Sequence, residues 1–258
     1  VSSNDEHSGV MYYEYRYPNT TNKWVPSMKR YIDEEALMKL IQRQGYLDFL
    51  RRNRNRPIVK VVSGIRRCGK STLFRLFKDE LLSTGVKPEQ IISINFEELE
   101  YEHLRDYHAL YQYILERMQP DKMNYIFLDE IQHVDQFHRV VDSLFVKENT
   151  DLYITGSNAY FMSSDIATLL TGRYVEIQML PLSFSEFYHS KYDVNQYSLI
   201  PAYESYLRES SFPYTQQLGG EDFDIQEYLR GLYNTLLLHD VVARLKINDV
   251  TILQDIVR

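Results

Sequence analysis

The run Gly64-Ile65-Arg66-Arg67-Cys68-Gly69-Lys70-Ser71, followed by Thr72, constrains this chain more than any other feature. It fits the spacing G-x-x-x-x-G-K-[ST], which builds a loop whose backbone N–H groups cradle phosphate oxygens. Gly64 and Gly69 are expected to permit the tight turn. Gly64, Ile65, Arg66, Arg67, Cys68, Gly69, Lys70, Ser71 and Thr72 then line a nucleotide triphosphate. Lys70 is expected on the β- and γ-phosphates and Ser71 on a Mg²⁺ ion. The flanks supply the context that the motif needs. Pro57 to Val62 is a β-branched run that reads as a buried strand. Leu73, Leu76, Phe77 and Leu81 recur at helical spacing until Gly85, and the positive N-terminal end of that helix favours anions.

From residue 57 onward strand and helix patterns alternate, which predicts a parallel sheet covered on both faces. Strands read at Ile91–Phe96, Tyr125–Leu128, Leu152–Thr155 and Tyr174–Ile177, and helices at about His103–Met118 and Phe137–Phe145. After Pro181 the strand pattern stops. Ser183 and Glu186 form a capping box, and Leu229, Leu232, Tyr233 and Leu236 mark a later helical stripe. Upstream, a helix is expected from Asp33, with Leu37, Leu40, Ile41, Leu47 and Leu50 on its apolar face. Residues 1–27 show no sustained period and read as an extension or tag, with Met28 as the natural start. The expected organisation is an N-terminal helix over 28–56, a nucleotide-binding domain over 57–181, and a helical lid over 182–258 that runs into a truncated C-terminal domain.

Composition excludes several function classes. A chain of 258 residues with 44% hydrophobic and 25% charged residues can bury a full core. No apolar run approaches a membrane span and no secretory pattern opens the chain, so a cytoplasmic location is expected. Its single cysteine, Cys68, agrees with a reducing compartment and reads as a small filler in the phosphate loop. No zinc-ligand cluster or nucleophile-elbow motif is present in the sequence. A formal net charge of −7 argues against a broad nucleic-acid footprint. The local cluster Arg51, Arg52, Arg54 and Arg56 reads as a solvated helix C-terminus, allowing at most weak, salt-sensitive DNA binding.

Further polar groups fall at the predicted C-terminal edge of the sheet, where open α/β folds bind ligands. Asp129 ends a hydrophobic strand and suits a metal opposite Ser71. Glu130 beside it suits polarisation of a water for attack on the γ-phosphate. Thr155 and Asn158 end the fourth strand, where either one is placed to bond the γ-phosphate or the attacking water. Glu97, Glu98, Glu100 and Glu102 read as a solvated loop. Arg173 directly precedes the fifth strand and suits neutralisation of phosphoryl charge, in its own subunit or a neighbour's.

GIRRCGKST, IFLDEIQ (Ile126 to Gln132), ITGSNA (Ile154 to Ala159) and LLTGRYVEIQMLPLSFSEF (Leu169 to Phe187) together resemble the prokaryotic AAA+-superfamily ATPases. The likeness is to a poorly characterised group whose ATPase module precedes a C-terminal domain of unknown function, and it covers about residues 28 to 258. It implies an α/β P-loop NTPase three-layer sandwich with a parallel five-stranded sheet of order 5-1-4-3-2. It also implies ATP and Mg²⁺ as ligands, Glu130 as catalytic glutamate, Asn158 or Thr155 as phosphate sensor, and Arg173 as arginine finger. By the same resemblance, Asn95 is expected to correspond to the residue that restrains the glutamate. Arg208 and Arg230 are the candidates for a second sensor. Tyr228 to Ile247 resembles the junction to the C-terminal domain.

The activity these residues predict is Mg²⁺-dependent ATP hydrolysis by Lys70, Glu130, Asn158 and Arg173, coupled to a conformational or assembly change. An Arg173 acting in trans requires a homo-oligomer. Two other readings stay open: a nucleotide-gated switch with little turnover, and a P-loop kinase or phosphotransferase.

Overall fold

A computed structural model describes residues 41–157, 170, 172–192, 198–218 and 222–236. The expectations for residues 1–40, for Asn158 and for the C-terminal junction beyond residue 236 lie outside the described residues.

Five strands form one parallel sheet: β1 (Val59–Gly64), β2 (Ile91–Asn95), β3 (Asn124–Asp129), β4 (Thr150–Ser157) and β5 (Tyr174–Met179). Their spatial order is β2-β3-β4-β1-β5, the 5-1-4-3-2 order that the family likeness implies. β4 inserts between β3 and β1, pairing Leu128 with Ile154 and Gly64 with Ser157. The carboxyl ends of β1, β3 and β4 therefore meet at one edge.

Both faces are buried, and the two-residue period of a strand divides the core cleanly. Val59, Val61, Ile126, Leu128, Leu152 and Ile154 point to one side. There they meet α3 (Tyr107–Arg117) and α4 (Phe137–Phe145). Val62, Tyr125, Phe127 and Tyr153 point to the other side, against α1 (Gln44–Asn53) and α2 (Lys70–Ser83). The result is a three-layer sandwich. In the second core Phe127 stacks on Tyr153 at 4.7 Å, and Phe74 and Phe77 meet Phe127 edge-on at 5.2 and 6.3 Å. Full burial of each such ring contributes about 1.5–3 kcal/mol.

Element ends follow from local chemistry. Gly85, at φ +94°, stops α2 through a Schellman arrangement in which the Val86 N–H bonds the Leu81 carbonyl and the Gly85 N–H bonds that of Leu82. The helix expected from His103 starts later. Leu99–Arg105 is a 3₁₀ stretch, and the extended Asp106 then caps α3 by accepting the Ala109 N–H at 2.9 Å. Of the helix expected from Asp33 through Leu50, only the part from residue 41 is described, and it starts later than expected. Residues 41–43 are not helical and α1 begins at Gln44, with Arg43 as the residue before it and its guanidinium turned to distant partners.

After β5 the described elements are α5 (Phe184–Lys191), α6 (Leu199–Glu209) and α7 (Asp222–Thr235), with a 3₁₀ turn at Pro213–Gln217. The capping box that opens α5 forms as the sequence predicts. Ser183 Oγ accepts the Glu186 N–H and the Ser183 N–H donates to Glu186. The stripe on α7 is rotated from the expected one: Ile225 and Leu232 are buried, while Tyr233 is exposed.

Candidate functional site

The phosphate-type loop joins β1 to α2 at the carboxyl edge of the sheet. Its two glycines serve different purposes. Gly69 adopts φ +106°, the left-handed region that a side chain disfavours, and caps α2. Gly64 is required by crowding: a Cβ there would lie 2.5 Å from the Met179 carbonyl oxygen and 2.8 Å from Cys68 Sγ. Arg67 also takes a positive φ, +67°, so the loop reverses twice before the helix starts. Cys68 is fully buried within the loop, and burial pushes its thiol up, which makes it a packing group rather than a reactive one.

Lys70 is buried and folds back over the loop, donating to the Gly64 carbonyl at 3.1 Å and the Ile65 carbonyl at 3.4 Å. Its ammonium also lies 3.0 Å from Glu130 Oε1. Glu130 follows β3 in a left-handed conformation, φ 55°, fixed by its N–H bonding Thr155 Oγ1 at 2.9 Å. Its second carboxylate oxygen accepts from Gln132 Nε2 at 2.5 Å. Burial works to raise the Glu130 carboxyl. The Lys70 charge and the hydrogen bonds from Gln132 and Lys70 outweigh it and hold the group below the usual carboxylate range.

Asp129, one residue earlier, is buried and accepts from the Thr155 hydroxyl, with Ser71 beside it. Here burial prevails over the lowering effect of these two hydroxyls and pushes the carboxyl up. A buried carboxylate facing a hydroxyl is the hard oxygen donor set that Mg²⁺ takes, so the residues fit that ion. Thr155 spends its hydroxyl on both acids, which leaves it a bracket between β4 and β3 rather than a free phosphate contact.

Other expected groups are placed differently. Asn95 is turned into its own loop, where its Oδ1 accepts the Glu97 N–H at 3.1 Å and its Nδ2 donates to Glu98 at 3.3 Å. Arg66 pairs with Glu97, and Glu98, Glu100 and Glu102 are exposed. Arg173 stands at the opposite edge of the sheet. Its neighbour Tyr174 pairs with Val59, while Met179 pairs with Gly64 beside the loop. Six strand steps at about 3.3 Å put it roughly 20 Å away, beyond reach of its own loop. There it pairs with Asp142 at 3.3 Å and lies over the Phe145 ring. Of the arginine cluster, Arg51 is held by Glu80 and Asp48, and Arg54 donates to Tyr125 and Thr84.

Beside the loop opens a cavity of about 550 Å³, lined by Ile41, Thr72, Leu76, Met179, Leu182 and Pro213 among others. Gln216 also lines it, and its Nε2 is buried without a partner among the described residues. Arg43 forms part of the wall. Its fork grips Glu186 at 2.7 and 3.0 Å, and it also donates to the carbonyls of Leu180, Pro181 and Cys68. Of these residues, sequence reasoning assigns only Cys68 and Thr72 to the nucleotide, and it reads Ile41 and Leu76 as helix-face residues and Glu186 as a capping residue. Arg43 and Glu186 are 143 positions apart and carry no local signal of meeting. Gln132, by contrast, stands two residues after Glu130 within the recognised IFLDEIQ segment, which was the available cue.

The AAA domain profile matches residues 56–188, more than half of the chain and all of the sheet. The chain belongs to the AAA domain family. This AAA protein is 38% identical over 221 residues to an uncharacterized protein of Haemophilus influenzae, covering 84% of this chain and 54% of that one. It is 31% identical over 208 residues to the uncharacterized protein MJ1544 of Methanocaldococcus jannaschii, covering 74% and 44% respectively. The AAA chain thus spans about half the length of these curated relatives. Among solved structures it is similar to the Walker-type ATPase PABY2304 of Pyrococcus abyssi, with a TM-score of 0.52 and 16% identity over 77% of this chain and 74% of that one. That likeness concerns the fold. Among the described residues, no helix of the AAA protein is long and apolar enough to cross a membrane.

Proposed function

We propose that this AAA domain binds ATP with Mg²⁺ and hydrolyses it, using the cycle to drive a conformational or assembly change. One observation carries the reading: Lys70, Glu130, Asp129 and Ser71 converge at the sheet edge, with Lys70 and Glu130 3.0 Å apart and Ser71 beside the buried Asp129. Lys70 and the amides of the loop from Gly64 to Thr72 take the phosphates. Ser71 and Asp129 hold Mg²⁺, which when bound neutralises charge on the phosphates. The largely apolar cavity, whose lining includes a Gln216 Nε2 with no partner among the described residues, accepts the base. Glu130 is a weak base while paired to Lys70. Phosphate charge on Lys70 loosens that hold, and the carboxylate can then polarise a water. Arg173 is too far away to serve its own site, so a role in hydrolysis requires a neighbouring copy.

Steady-state phosphate release by the protein and by Glu130→Gln tests this. The expected result is turnover that falls about 100-fold or more in the variant, in the range for loss of a general base, with ATP binding kept. Bound ATP without phosphate release above background in either protein refutes hydrolysis. That outcome supports the second reading, a nucleotide-gated switch, which the close Lys70–Glu130 pair favours.

A further inference from the structure

We propose that Gln132 is the positioning residue for Glu130 in this site, sharing the carboxylate with Lys70 and keeping it aimed at the loop when phosphate draws Lys70 away. This rests on the reading of Glu130 as the group that polarises water. By family likeness the restraint falls to Asn95, on the neighbouring strand. In this chain Asn95 is committed on both sides of its amide, to the Glu97 N–H and to Glu98.

The Glu130 carboxylate instead has one oxygen on Lys70 and the other on Gln132 Nε2. Gln132 sits on the 3₁₀ turn Ile131–His133, which starts at Glu130 and is anchored by the fully buried Ile131. Holder and held therefore ride on one short, rigid piece of backbone. The orientation of the Gln132 amide is forced, since the reverse would set its carbonyl oxygen against a carboxylate oxygen. Gln132 Oε1 is then left buried with no partner among the described residues. An amide with a charge-assisted bond on one side and an unused acceptor on the other is oriented by Glu130, and can accept from a water bound beside it.

The readout that does not depend on turnover is the Gln132 side-chain amide in proton–nitrogen correlation spectra, without added nucleotide. Its protons are expected to be shifted downfield and slow to exchange in the parent, and to move to free-amide positions in Glu130→Ala. Glu130→Gln, which keeps the shape of the carboxylate, is expected to give a partial shift if Glu130→Ala does not fold. Asn95→Ala leaves the resonance in place. In phosphate-release assays, Gln132→Ala is expected to lower kcat about 10- to 100-fold, as for loss of a hydrogen bond to a charged group, with KM within about twofold. Adding Gln132→Ala to Glu130→Gln produces no further loss.

A Gln132 amide indifferent to both Glu130 variants overturns the proposal, as does an unchanged kcat in Gln132→Ala when the parent turns over. So does a loss of turnover in Asn95→Ala that matches or exceeds that of Gln132→Ala. If the parent releases no phosphate, the hydrolysis reading fails by itself, and the amide resonance alone decides whether Gln132 holds Glu130.

Discussion

Arg43→Ala removes a clamp rather than a surface charge. The Arg43 side chain is 6% exposed and that of Glu186 24%, and the guanidinium reaches the carbonyls of Cys68, Leu180 and Pro181 as well as both Glu186 oxygens. Breaking a buried ion pair from one side costs about 3–5 kcal/mol. Glu186 keeps the Ser183 N–H and hydroxyl and some solvent, and the adjacent cavity admits water to the freed carbonyls. The expected loss is therefore at the low end, about 3 kcal/mol. Arg43→Lys keeps the charge but not the fork, and is expected to lose about half as much.

The pH dependence gives the sign. Burial raises the Glu186 carboxyl, but the bonds from Arg43 and Ser183 outweigh it and hold the folded-state value below the unfolded one. Stability from a depressed carboxylate is complete above its unfolded value, about 4.3, and is lost as pH falls through the folded value. The gap between parent and Arg43→Ala is thus widest at neutral pH and narrows in acid. Urea midpoints at fixed m-value, taken from neutral pH down through the carboxylate range, measure it. A loss under about 1 kcal/mol, or a gap that does not change with pH, refutes the clamp.

Two further outcomes can be tested. Lys60 is fully buried in mid-strand, pulled below its ordinary value by burial, and paired with Asp151, which also accepts from the Asn55 N–H and the Tyr153 hydroxyl at 2.8 Å each. Asp151→Ala is expected to cost about 3–5 kcal/mol in urea unfolding. Because the folded lysine then binds its proton more weakly than the unfolded one, stability recovers as pH rises toward the free-lysine value, and a loss that persists undiminished in alkali counts against it. Arg173→Ala, at an exposed ion pair, is expected to change stability by less than about 0.5 kcal/mol. If Arg173 acts in trans, turnover per subunit rises with protein concentration in the parent and no longer does so in the variant. Concentration-independent turnover, equal in both, excludes that role.

Most of the sheet and half of the site were legible in the chain. Buried parallel strands are short apolar runs, and α4 shows its period so clearly that Phe137–Phe145 is the span found. The loop from Gly64 to Thr72 and the acids Asp129 and Glu130 could be read because phosphate binding and metal binding fix residue types at close spacing. Helix starts were read less well where a local cap decided them, as at Asp106.

What the sequence determined is the phosphate-binding loop, the strands that carry it, and the pair of acids set at the carboxyl edge by the strand pattern. Tertiary structure alone decided which partner each charged group takes. It turned Asn95 away and gave Glu130 to Gln132 and Lys70. It closed the cavity wall with Arg43 and Glu186, and put Arg173 at the far edge from its own loop. The division has a physical cause. Backbone conformation and alternation of burial act over a few residues, whereas an ion pair or hydrogen bond forms wherever the fold brings its two ends within about 3 Å, whatever their separation along the chain.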